Sequence, residues 1–354
     1  MTRIRTRSFE RHDGSTGTAV EMSVPGGLTV RLSSLGATLM GIDAPDRHGR
    51  AADVLLGWSD PRRYDTPAYR AANPYFGATA GRFANRIAGA SFVIDGVRFA
   101  LSANEGGTHL HGGADGFDRR AWTVEPIADG VRFRLVSPDG DQGYPGRLVA
   151  TADYVFAAPD ELAVIYSAEA DRPTHVNLVS HGYFNLTGDP AAGIAGHVLS
   201  IAADRYVPID AANLPLGTIA PVAGTPYDLR APTRLGEALA AADGAAAPTR
   251  GFNHCYVLQA PGRVVPAARL HDPVSGRILD LSTDQPGLLF YSGDGLDGSL
   301  ASDAGTPFGP RSGLCLEAQR FPDTPNQPAF PSSRLDPGGS YRSETRLRFT
   351  TDAD

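Results

Sequence analysis

The sequence predicts an all-β fold, a single large antiparallel β-sandwich over residues 1–354, and three observations carry that expectation. Short apolar or alternating runs recur along the whole chain, Gly, Pro and Asp turns separate them, and only one stretch has a helical period. No Pro/Ser-rich linker and no strict internal repeat divides the chain.

In chain order, runs over 19–32 and 36–43 are broken by Pro25-Gly26-Gly27 and Pro45-Asp46, which reads as strand, turn, strand. Residues 60–74, rich in Arg, Tyr and Pro, read as a loop with a helical turn. Strands over 91–94 and 97–101 flank Asp95-Gly96, the strongest short hairpin signal in the chain. Similar units follow over 122–127 with 131–137, and over 146–156 with 161–170. Later strands are expected over 197–201, 206–207, 252–258, 267–271, 277–282, 287–292, 313–318 and 341–349. The helical pattern covers 235–242, with Thr233 as its expected cap.

The stretch 177–186, Asn-Leu-Val-Ser-His-Gly-Tyr-Phe-Asn-Leu, reads as one strand with two unlike faces. Leu178, Ser180, Gly182, Phe184 and Leu186 alternate with Asn177, Val179, His181, Tyr183 and Asn185. The second row suits either the floor of a polar pocket or a half-exposed sheet face.

Composition narrows the function. The net charge of −7 argues against an electrostatic grip on nucleic acid or an anionic membrane, and a small neutral partner fits better. All 32 basic residues are arginine, which removes lysine Schiff-base chemistry, a P-loop lysine and a Ser-Lys dyad. Cys255 and Cys315 stand far apart without metal-type spacing, so a reducing, cytoplasmic compartment is the plainer expectation, with a single bridge between them as the alternative. No run has signal-peptide character or the length to span a bilayer.

Three constellations can carry chemistry. In Gly81-Arg-Phe-Ala-Asn-Arg-Ile87, two guanidinium forks and an amide suit the paired hydroxyls of a sugar, or else anchor a loop through carbonyls. In His109-Leu-His111-Gly-Gly-Ala-Asp115, the i, i+2 histidines allow a metal pair with Asp115, as in a metal-dependent cupin, or a glycine turn that swings one imidazole into a pocket. In Gly313-Leu-Cys-Leu-Glu-Ala-Gln319, alternation sets Cys315, Glu317 and Gln319 against the core-facing Leu314, Leu316 and Ala318. A glutamate there is either an edge residue in water or a carboxylate with a chemical task. The Pro-rich run that starts at Phe321 cannot continue a central strand and would close off its end. With pKa values near 6.5 and 4.3, a histidine and a glutamate such as His181 and Glu317 supply the acid and base of a proton-transfer reaction on a neutral substrate.

Several strings together resemble the aldose 1-epimerase (galactose mutarotase) family. They are Asn73-Pro-Tyr-Phe-Gly-Ala-Thr, Gly81-Arg-Phe-Ala-Asn-Arg-Ile, Leu110-His-Gly-Gly, Gly116-Phe-Asp, Ser137-Pro-Asp-Gly-Asp-Gln-Gly-Tyr-Pro-Gly146, Val176-Asn-Leu-Val-Ser-His-Gly-Tyr-Phe-Asn-Leu, Leu316-Glu-Ala-Gln and Pro325-Asn-Gln-Pro328. The resemblance implies a supersandwich that interconverts the α and β anomers of free aldohexoses such as glucose or galactose without a cofactor or metal, as a monomer or homodimer. It implies Glu317 as the base at the anomeric hydroxyl and His181 as the acid at the ring oxygen, with Asn85, Arg86, His111, Tyr183 and Asn253 holding the sugar. The chain departs from the family pattern at Asn253, where aspartate is usual, at Gly182, where serine is common, and at Leu289, where some relatives have glutamine. These departures bear on which sugar is preferred. A non-catalytic sugar-binding protein and an epimerase for a phosphorylated hexose are the competing expectations.

Overall fold

The computed structural model describes residues 2–245, 249–259 and 262–353. Three antiparallel sheets dominate it. A five-stranded sheet runs in chain order through Arg3–Glu10, Thr16–Ser23, Thr29–Ser33, Thr38–Pro45 and Ala51–Asp53. A nine-stranded sheet has the spatial order Thr123–Ile127, Gly130–Ser137, Leu148–Ala158, Glu161–Ala170, Tyr341–Thr351, Arg277–Thr283, Val265–His271, Val198–Ile201 and Thr233–Arg234. A six-stranded sheet has the order Tyr183–Phe184, Leu314–Gln319, Gly287–Tyr291, Asn253–Val257, Arg205–Val207 and Ala220–Pro221.

One apolar cluster joins all three sheets, drawing Leu32 and Leu39 from the first, Phe133, Tyr154 and Leu279 from the second, and Tyr256, Phe290 and Leu316 from the third. The nine- and six-stranded sheets meet face to face, with Tyr166 and Leu347 on one side and Phe184, Leu316 and Ala318 on the other of a small interior cavity of about 30 Å³. Polar tips reaching across this interior find partners, as buried tyrosines require. The Tyr154 hydroxyl donates to the Ala37 carbonyl at 2.7 Å, and the Tyr341 hydroxyl accepts from the Leu178 N–H at 3.1 Å.

The later strands lie within two residues of their expected bounds. The Asp95-Gly96 turn joins Ser91–Ile94 to Val97–Ala100 with both turn residues at positive φ, as a two-residue hairpin demands. Two expectations are corrected, and one strand was not anticipated. The strand Arg3–Glu10 lacked an apolar signal because it is an exposed edge, with only Phe9 buried and arginines on its open side. Thr233 is a strand residue paired with Leu199, and Arg234 stands at the cap of the helix Leu235–Gly244 without a side-chain capping bond. The stretch 177–186 is two short strands, Val179–Ser180 on Thr79–Ala80 and Tyr183–Phe184 on Leu314–Gln319, with His181-Gly182 at the junction. Residues 60–74 form a short 3-10 turn, Pro61–Asp65, and the helix Pro67–Ala72.

Candidate active site

At one face of the six-stranded sheet lies a cleft of about 510 Å³, and all seven residues expected to act on or hold a sugar line it: Asn85, Arg86, His111, His181, Tyr183, Asn253 and Glu317. Its floor is the strand Leu314–Gln319, interior to the sheet and buried along its whole length. Glu317 is therefore no edge residue in water. Alternation turns Leu314, Leu316 and Ala318 into the main core, as expected, and leaves Cys315 and Glu317 on the opposite face. The strand stops at Gln319, and the Pro-rich run after it docks onto the Arg86 segment, where the Asp323 N–H donates to the Arg86 carbonyl and Asp323 Oδ1 accepts from the Ala88 N–H.

His181 reaches this floor from the junction between the two short strands. Its Nε2 is 3.7 Å from Glu317 Oε1, and its Nδ1 is 3.7 Å from Cys315 Sγ. Among the described residues, neither oxygen of Glu317 has a hydrogen-bond partner. Attraction across 3.7 Å favours a charged pair, whereas burial favours a neutral one, and burial is the larger influence on each group. It pushes the Glu317 carboxyl up to about 8, moderated by the Arg86 guanidinium, and the His181 imidazole down to about 4. Burial thus favours the neutral pair, with the shared proton on the carboxyl.

His111 enters beside them from a sharp turn. It has φ 51°, and a Cβ at the following Gly112, with φ 93°, would lie 1.7 Å from the Gly81 carbonyl oxygen, so only glycine lets the two loops touch. The Asn85 N–H donates to His111 Nδ1 at 3.2 Å, and burial, with the nearby His181 and Arg86 adding to it, holds the ring well below the usual histidine range. His111 is accordingly neutral, with its hydrogen on Nε2. Tyr75 packs over both imidazoles, its ring centroid 4.6 Å from that of His111 and 5.7 Å from that of His181, while Tyr183 lies 5.2 Å from His181 on another side.

Arg86 is fixed by Glu105, whose two carboxylate oxygens accept from Nε and Nη2 at 2.7 Å each. Asn85 Oδ1 accepts from the Arg86 N–H at 2.8 Å, which leaves the Asn85 amide nitrogen as a donor. Across the cleft, Asn253 Nδ2 donates to Asn213 Oδ1 at 3.0 Å, so Asn253 offers its carbonyl and Asn213 its amide nitrogen. Tyr75, Glu105 and Asn213 were missed by sequence reasoning. Tyr75 sits inside a recognised string, but Glu105 and Asn213 are polar residues in turns with nothing in the pattern to separate them from their neighbours.

Other expectations resolve differently. His109 does not pair with His111, because its Nδ1 contacts the Ser102 carbonyl at 2.7 Å and its Nε2 the Tyr144 hydroxyl at 2.8 Å, away from the cleft. Asp115 is an exposed partner of Arg120 at 3.6 Å. The cupin-like metal set is thus not assembled, and the glycine turn is the reading that holds. Arg82 is a loop anchor, buried and donating to the carbonyls of Ser137, Pro138, Pro145 and Gly146. Asn177 and Asn185 satisfy the carbonyls of Ala84 and Ser312 in place of lining the pocket. A Cβ at Gly182 would meet Leu55 Cδ2 at 3.3 Å on the interior side, so this departure does not face the cleft, whereas Asn253 and Leu289 do.

The family model described as aldose 1-epimerase matches residues 18–348. The galactose mutarotase of Rattus norvegicus is 42% identical over 323 residues, covering 91% of each chain. The aldose 1-epimerase of Escherichia coli (strain K12) is 37% identical over 328 residues, covering 91% of this chain and 92% of the other. Among solved structures, an aldose epimerase homologue from C. elegans superposes with a TM-score of 0.82 at 26% identity, and a galactose 1-epimerase from Lactobacillus acidophilus with 0.81 at 27%, each covering 99% of both chains. The chain belongs to the aldose 1-epimerase family.

Proposed function

We propose that this aldose 1-epimerase interconverts the α and β anomers of free aldohexoses such as glucose or galactose, with Glu317 as general base and His181 as general acid. The observation that carries the roles is the 3.7 Å approach of His181 to a buried carboxylate that has no other partner. In the form that starts the reaction, Glu317 is a carboxylate and His181 an imidazolium. Glu317 takes the proton of the anomeric hydroxyl while His181 gives one to the ring oxygen, and the C1–O5 bond opens to the aldehyde. Rotation about C1–C2 and closure on the other face return both protons.

The charged and neutral forms of the pair contain the same number of protons, so they interconvert without exchange with solvent. Ring opening discharges both groups, and the buried cleft favours that discharge. His111 through Nε2–H, Asn85 through its amide nitrogen, Arg86, Tyr183 and the Asn253 carbonyl then serve as the hydroxyl contacts. A neutral Asn253 accepts without the charge assistance of an aspartate, a difference of about 1 kcal/mol per hydrogen bond.

A free hexose is favoured over a phosphorylated one because Arg86 is already held by Glu105 and, among the described residues, Arg250 alone joins it as an arginine lining the cleft. The catalytic reading is favoured over a purely binding one by the close acid–base pair. Both cysteines are free thiols, which supports a reducing, cytoplasmic setting, and no helix among the described residues is long and apolar enough to cross a membrane. Polarimetry on freshly dissolved α-D-glucose and α-D-galactose tests the function. Faster decay than in buffer, lost in Glu317→Gln and His181→Ala, is expected, and equal decay with and without the protein would falsify it.

A further inference from the structure

We propose that His181, Cys315 and Glu317 form a binding site for a soft divalent cation such as Zn²⁺, and that the bound cation shuts off anomer interconversion. The second half rests on the acid and base roles given above, and the first half does not.

The site is built by register. Cys315 and Glu317 are separated by one residue on the strand Leu314–Gln319 and so project from the same face, and Tyr183, two residues after His181, pairs directly with Cys315. One ligating atom from each of the three side chains lies within 4.8 Å of the other two, and all three residues are buried. Thiolate sulfur, imidazole nitrogen and carboxylate oxygen make a donor set that suits Zn²⁺ and not the all-oxygen shells of Mg²⁺ or Ca²⁺. Metal–ligand bonds of about 2.0–2.3 Å place tetrahedral donors roughly 3.3–3.8 Å apart, so the cluster must contract by about 1 Å. Rotation of Glu317 achieves this without breaking a hydrogen bond, because its oxygens have none. Cys315 gives up a weak contact with His181 Nδ1 at 3.7 Å and a side-chain hydrogen bond with Tyr183.

Charge balance supports a divalent ion. One thiolate, one carboxylate and a neutral imidazole around M²⁺ sum to zero, which a buried site tolerates better than a net charge. Binding releases the Cys315 proton, together with the Glu317 proton when that carboxyl holds one, and no electron moves. The cleft, lined by His181 and Glu317, provides both the entry path and a fourth position for water. The cation occupies the imidazole lone pair and the carboxylate that exchange protons with the sugar, so metal and substrate compete.

Cobalt titration of the full chain tests the site, since a thiolate ligand gives Co²⁺ a near-ultraviolet charge-transfer band independent of activity. A saturable one-equivalent band is expected, lost in Cys315→Ser and Cys315→Ala and kept in Cys255→Ser. A band that survives in both Cys315 variants, or no saturable band in the wild type, overturns the site. Polarimetry with Zn²⁺ tests the second half. Zn²⁺ should raise the apparent KM at unchanged kcat, and the Cys315 variants, each compared with its own metal-free rate, should need roughly 10-fold or more Zn²⁺ for the same fractional inhibition. A cobalt band that depends on Cys315 combined with full activity at saturating Zn²⁺ leaves the site standing and overturns the inhibition, together with the acid and base roles on which it rests.

Discussion

His181 Nε2 and Glu317 Oε1 stand 3.7 Å apart with no hydrogen bond between them. That separation exceeds a hydrogen bond, yet it is short enough for the two groups to reach two oxygens attached to one carbon. The anomeric hydroxyl and the ring oxygen are both bonded to C1. Two groups that act on one carbon in a single proton relay should fail as a unit. Glu317→Gln and His181→Asn should each lower kcat by roughly 10²- to 10⁴-fold, and the double variant should be no worse than the poorer single one by more than about a factor of ten. Polarimetric kcat values check this, and losses that multiply would mean that the two residues act independently.

With the proposed acid and base roles, the pair works only when it holds one proton. Above about 8 the Glu317 carboxyl loses it and neither group can donate, and below about 4 His181 is protonated while Glu317 keeps its own proton, so neither can accept. The profile of kcat/KM against pH should therefore be a bell with limbs near these values, which belong to the pair as a whole. A flat profile between pH 3 and 10 would remove the acid–base assignment.

The same burial makes Glu317 a stability liability with a defined pH window. Its folded-state pKa, about 8, lies above the ordinary carboxylate value. The folded chain therefore binds this proton more tightly than the unfolded one, a stabilising contribution that is full below about pH 4.5 and lost as pH rises through 8. Glu317→Gln cannot ionise. The melting temperature of the variant minus that of the wild type should grow from pH 5 to pH 9, reflecting on the order of a few kcal/mol. Thermal unfolding at the two pH values reads this directly, and a difference that shrinks with rising pH contradicts the assignment.

Glu105, itself on the cleft wall, holds Arg86 through two hydrogen bonds. Its carboxylate is partly exposed, so the charge is screened and its main contribution is the orientation of the guanidinium fork. Glu105→Gln should raise KM by roughly 3- to 10-fold with kcat changed less than about 2-fold. Steady-state kinetics separate these, and a kcat defect larger than the KM defect would place Glu105 in the proton transfer itself.

Most of the architecture was legible because the alternation on Leu314–Gln319 and the Asp95-Gly96 turn are local signals. The break at His181-Gly182 was not, because the stretch 177–186 alternates without interruption and only the partners of its two halves, Thr79–Ala80 and Leu314–Gln319, divide it. The role of Arg82 was open for a related reason. An arginine and a glycine-rich loop look alike whether the fork meets a sugar or the carbonyls of Pro145 and Gly146, and only the fold brings those carbonyls 3.0 and 2.9 Å from it. Glu105 and Asn213 were invisible because their importance lies in the single side chain that each one touches.

Among the described residues, the permanent cations that line the cleft, Arg86 and Arg250, are both guanidinium groups. An open-chain aldose is an electrophile, and a primary amine beside it would condense with the carbonyl to an imine and hold the sugar off its path back to the ring. A guanidinium has its lone pairs delocalised and its proton permanently bound, so it can grip hydroxyls without attacking the aldehyde. The same immunity extends over the whole chain, whose 32 basic side chains are all arginine. A protein that forms a reactive carbonyl in its cleft at every turnover presents no side-chain amine for that carbonyl to modify.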